Sequence, residues 1–77
     1  MNYTNRIHAD HRIMLGKPVI KGTRITVELL LRKLSEGATT NDILAMYPTL
    51  TIDDILAIFQ YASNVLAGEE VIMLDAA

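Results

Sequence analysis

The chain has 77 residues, no cysteine and a formal net charge of −2. That length holds one domain, and the missing thiols exclude disulfides and thiolate metal sites as supports for a small fold. Burial of apolar area supplies roughly 115 kcal/mol and ordering the backbone and side chains costs about the same, so a lone monomer balances near zero and association is the remaining support.

Hydrophobic residues make up 51% of the chain and its mean hydropathy is +0.26, high for so small a molecule. A dimer or a partner-bound subunit is therefore expected. The longest uncharged run, Ile55 to Gly68, is 14 residues and contains Gln60, Ser63 and Asn64, too short and too polar for the ~20 residues that a bilayer requires. Asn2 to Arg12 is polar and lacks the apolar core of a signal peptide. Cytoplasmic location, without membrane attachment, is the expectation.

Residues 1–25 read as a β arm, with short β-branched stretches at Arg6–His8, Arg12–Met14 and Val19–Ile20 punctuated by Gly16, Pro18 and Gly22. Lys21-Gly22 stands where a hairpin could close between Val19-Ile20 and Thr23-Arg24-Ile25. Residues 26–68 follow as a three-helix core. Thr26 can cap a first helix with Val27, Leu30, Leu31 and Leu34 inward, and Gly37 stands at its C-cap. Thr40 can cap a short second helix with Ile43, Leu44 and Tyr47 inward, ended by Pro48. Thr51 opens a third, with Asp53 and Asp54 in its first turn and Ile52, Ile55, Leu56, Phe59, Ala62, Val65 and Leu66 as a broad buried stripe, ending at Gly68. The tail, residues 69–77, carries Val71, Ile72, Met73 and Leu74 in succession, a candidate partner-binding segment because a solvated terminus has no use for them. The fold class is mainly α: a short N-terminal β arm and a helix-turn-helix core.

Charge is divided along the chain. Residues 1–33 hold all seven basic side chains and two acids, a balance of +5; residues 34–77 hold seven acids and no base, a balance of −7. Arg6, Arg12, Lys17, Lys21 and Arg24 are the candidates for binding nucleic acid or carboxylate; the same residues would equally solvate an exposed arm. In a helix-turn-helix the last helix enters the major groove, but here its first turn would offer Asp53 and Asp54, followed by Ala57, Gln60, Ser63 and Asn64 on the face expected to be exposed, with no cation. Any DNA contact therefore falls to the arm. Arg24, beside Gly22-Thr23 at a turn, is the strongest single candidate.

Reactive groups do not assemble. His8 and His11 flank Asp10, a pattern more common for solvated histidines than for a metal site. Asp53 and Asp54, adjacent on a helix, point about 100° apart and do not form an acid–base pair. Gly16-Lys17 and Gly22-Thr23 lack the order of a phosphate loop. No catalytic residue, cofactor or metal is expected, and Tyr47 and Tyr61 read as core or interface aromatics.

The run Gly16-Lys17-Pro18-Val19-Ile20-Lys21-Gly22-Thr23-Arg24-Ile25-Thr26-Val27, with Arg6-Ile7 before it and Tyr47-Pro48-Thr49-Leu50-Thr51 after it, resembles the small bacterial "domain of unknown function 433" family over roughly residues 5–67. The resemblance implies a homeodomain-like three-helix fold behind a β arm, a homodimer, and a noncatalytic antitoxin beside a PIN-like toxin nuclease. Repression of operator DNA through the basic arm is the alternative function, and a structural interaction subunit the third. His11 stands where the family commonly has proline, Leu15 where it has a glycine, and Thr26 where it often has proline; the first two are expected to alter the turn.

Overall fold

The computed structural model describes residues 5–76, with side chains through residue 68. β1 (Ile7–His8) pairs antiparallel with β2 (Val19–Ile20), Ile7 opposite Ile20 and His8 opposite Val19. The chain then turns on Lys21-Gly22. Thr23 N–H donates to Ile20 O at 3.0 Å, and Gly22 has φ +81°, the left-handed value that a type II turn demands at its third position. The returning chain forms a single bridge, Val19 with Thr26, rather than a third strand, because Thr26 leaves the ladder to cap a helix.

Arg12–Met14, expected as a strand, is instead a turn. Arg12 N–H donates to Asp10 Oδ1 at 2.9 Å and Ile13 N–H to Asp10 O at 2.8 Å, which curls the chain before a ladder can form. A single 3₁₀ turn, Met14–Gly16, follows.

α1 (Val27–Ser35) starts as expected at Thr26, whose hydroxyl accepts from Leu29 N–H at 3.1 Å. It ends in a Schellman motif: Gly37, at φ +106°, donates to Leu34 O, and Ala38 donates to Lys33 O. α2 (Thr40–Met46) is capped by Thr39, not Thr40. The choice falls to Thr39 because Asp42, three residues on, accepts from the Thr39 N–H while the Thr39 hydroxyl accepts from Asp42, a reciprocal capping box.

α3 (Ile52–Ala76) runs through Gly68, where an end was expected. Glycine permits a left-handed stop without imposing one, and its cost inside a helix is only about 1 kcal/mol. Thr51 and Asp54 form a second box-like cap, with Thr51 N–H donating to Asp54 Oδ2 at 2.9 Å. Among the described residues no helix is long and apolar enough to cross a membrane.

The core is Ile20, Val27, Leu30, Ile43, Leu50, Ile55 and Ile58, with Leu31, Leu34, Leu44, Tyr47 and Tyr61 packed on it. One expectation fails here. Of the broad stripe foreseen on α3, only Ile55 is buried, joined by Ala57 and Ile58, whereas Ile52, Leu56, Phe59, Val65 and Leu66 are exposed. Two short helices and a two-stranded arm cover one side of α3, and an apolar helix cannot bury a second side against nothing.

Candidate functional site

Three of the five arm cations are held by carboxylates of the same chain. Arg6, at the edge of β1, reaches the first turn of α3, its Nη1 3.1 Å from Asp54 Oδ1 and its Nη2 3.4 Å from Asp53 Oδ2. The two aspartates expected to diverge thus meet on one guanidinium, whose forked donors span side chains about 100° apart on the helix. Asp54 is buried and accepts from Thr51 as well, so this node joins the arm to α3.

Arg12 grips Asp10 with Nη2 at 2.8 Å and Nε at 3.1 Å. The Arg12 side chain, followed by its backbone N–H, holds the Asp10 carboxyl below its ordinary 3.8. Lys17 Nζ lies 3.1 Å from Glu28 Oε1, and Arg32 Nη2 lies 2.9 Å from Glu28 Oε2. The bond and charge of Lys17, then the charge of Arg32, hold Glu28 below its ordinary 4.5.

Lys21 and Arg24 differ. Both are exposed, Lys21 in the type II turn and Arg24 just after it, and neither makes an ion pair among the described residues. They are the two arm cations open to an outside phosphate or carboxylate. His11 Nδ1 stands 4.0 Å from Asp10 Oδ1, and among the described residues no three histidines or acids cluster as a metal site would require. The side chains of Val71, Ile72, Met73 and Leu74 lie outside the described residues.

A second feature escapes composition and periodicity. Met14, Leu15 and Gly16 have φ values of +49°, +59° and +82°, three successive left-handed residues, two of them not glycine. Each such residue costs about 1 kcal/mol or more. The strained turn holds Leu15 92% exposed, with Met14 beside it half exposed. Met14 also borders a groove of about 250 Å³ with Leu29 on the apolar side and Lys17, Glu28 and Arg32 as charged rim. The one signal for this turn in the sequence is Leu15, standing where the family resemblance implies a glycine.

The described residues form a small helical domain with a β arm, with Lys21 and Arg24 in no ion pair among them and Leu15 exposed on a strained turn. The profile of the family described as "Protein of unknown function (DUF433)" matches residues 7–62, and the chain belongs to this family. The crystal structure of a DUF433 member protein from Anabaena variabilis ATCC 29413 is similar to it, with a TM-score of 0.77 and 30% identity, covering 95% of this chain and 70% of that one. The comparison with curated proteins finds no match.

Proposed function

We propose that this protein is a noncatalytic, dimeric, antitoxin-like protein that neutralises a partner nuclease, of the PIN-like class implied by the family resemblance, by binding it. The observation that carries the reading is Leu15. A large apolar side chain held 92% exposed by a backbone of unfavourable φ is a feature that folding alone would remove. A rigid turn presenting such a side chain loses little freedom on docking, so its apolar contact is retained as affinity. Leu15 stands next to Met14, which with Leu29 lies beside the charged rim of Lys17, Glu28 and Arg32, the make-up of an interface with an apolar anchor and a polar border.

The test is nuclease inhibition by the purified protein. Leu15→Asp is expected to weaken inhibition by about tenfold or more at unchanged helical content. Full inhibition by this variant would remove the reading.

The open cations Lys21 and Arg24 favour a second role in binding operator DNA. Two phosphate contacts per subunit give a salt slope near −1.8 per subunit, at about −0.9 per contact. Alanine at both positions is expected to abolish that slope and leave nuclease inhibition intact; operator affinity independent of salt would exclude the role.

A further inference from the structure

α3 has two apolar faces. The inner one, centred on Ile55 and Ile58, belongs to the core. The outer one runs through Ile52, Leu56, Phe59, Ser63 and Leu66, alternating steps of four and three that set them in one line, the spacing of a helix–helix seam. Its four large side chains are open to solvent, from 47% at Phe59 to 61% at Leu66. Every residue from Ser63 to Gly68 is exposed, yet the helix runs on to Ala76. A helical stretch that short, without tertiary contact, is marginal in water.

Charge indicates what kind of partner fits this face. α3 holds Asp53, Asp54, Glu69, Glu70 and Asp75 and no basic residue. The first two complement the helix dipole and share Arg6. The other three stand toward the end where the dipole is already negative, and no basic residue follows Lys33 anywhere in the chain. A second copy would aggravate this in either direction. A parallel pair gathers both sets of C-terminal acids at one end, and an antiparallel pair lays them beside the acidic first turn of the other helix. Nucleic acid and an anionic membrane surface are repelled by the same acids. We propose that the outer face of α3 docks an amphipathic helix of a different protein, apolar along one stripe and flanked by lysine or arginine that meets the acids at the C-terminal end of α3. The proposal goes beyond the Leu15 reading, whose surface lies on the arm. Four side chains offering on the order of 100 Å² each give about 400 Å², the scale of one docked helix of modest affinity rather than of an obligate interface.

The probe is a synthetic three-heptad helical peptide with leucine along its stripe and lysine on both flanks, so that its own copies repel one another, set against the same peptide with glutamate in place of lysine. Titrated into the full chain, the lysine peptide is expected to bind with a Kd on the order of 10 μM and the glutamate peptide at least about tenfold more weakly. Phe59→Gln, and separately Leu66→Gln beyond the core, are each expected to weaken the lysine peptide by at least about tenfold with the helical circular dichroism of the body retained. Glu69→Gln combined with Glu70→Gln is expected to narrow the gap between the two peptides, and Leu15→Asp to leave both affinities unchanged. No saturable binding of the lysine peptide, equal affinity for the two peptides, a gap untouched by the paired glutamines, or binding indifferent to both Phe59→Gln and Leu66→Gln overturns the inference. So does a dimer of the chain that those two substitutions abolish, which would give the face to a second copy. A chain that binds the lysine peptide as expected and fails to inhibit a nuclease would remove the antitoxin reading and leave this surface assigned.

Discussion

Leu15 shows most directly how one residue trades stability for presentation. Its φ of +59° suits glycine, and the side chain buries almost nothing in return. Leu15→Gly is therefore expected to stabilise the isolated protein by about 0.5–1 kcal/mol, relief of the left-handed strain outweighing the added freedom of the unfolded chain. Thermal melting of the two proteins checks this, and a lower melting temperature for the variant would show that the turn is not strained. Gly16 next to it is a different case. It sits at φ +82°, and a Cβ there would lie 3.5 Å from His11 Cα, so a side chain would be strained by the backbone before any contact mattered.

At the scale of elements, the arm and α3 are joined by Arg6, and the joint explains why the start of α3 is unsuited to the major groove. The first turn is acidic, and its two carboxylates already hold a cation. Removing that cation leaves the buried Asp54 with Thr51 as its remaining partner. Arg6→Met keeps the aliphatic bulk and is expected to destabilise the fold by roughly 1–2 kcal/mol, a figure held down because the Arg6 side chain is about one-third exposed. The urea midpoint reads this loss. An unchanged midpoint would mean that the strands alone hold the arm to the body.

For the molecule as a whole, the divided charge along the chain becomes a set of bridges within the fold. Asp10 and Glu28 are both held below their ordinary values by basic neighbours. A carboxyl whose folded pKa is depressed adds stability above its unfolded value and loses it as pH falls through the folded one. Stability is therefore expected to be level from neutrality down to about pH 4.5 and then to decline. The Glu28 share begins to fall below 4.5 and the Asp10 share below 3.8. Their partners Arg12, Lys17 and Arg32 are exposed, so added salt is expected to shrink the effect. Melting curves of the wild type and Glu28→Gln between pH 7 and 3, at low and high salt, check it: the variant should show the smaller decline.

Local chemistry written in consecutive residues was readable in advance. Thr26 as a cap, Gly37 as a left-handed stop, Pro48 as a barrier and the inward positions of α1 depend on neighbours within four or five places along the chain, and the structure has all of them. The family membership was also carried by short motifs around Gly22 and Pro48. What tertiary structure alone decided involves distance in sequence. Arg6 meets Asp53 and Asp54 across 47 and 48 positions, and no periodicity encodes that pairing. The burial of one apolar face of α3 and the exposure of the other follow the same rule. Both faces carry large apolar side chains, and only the number of elements available to cover them determines which one stays exposed.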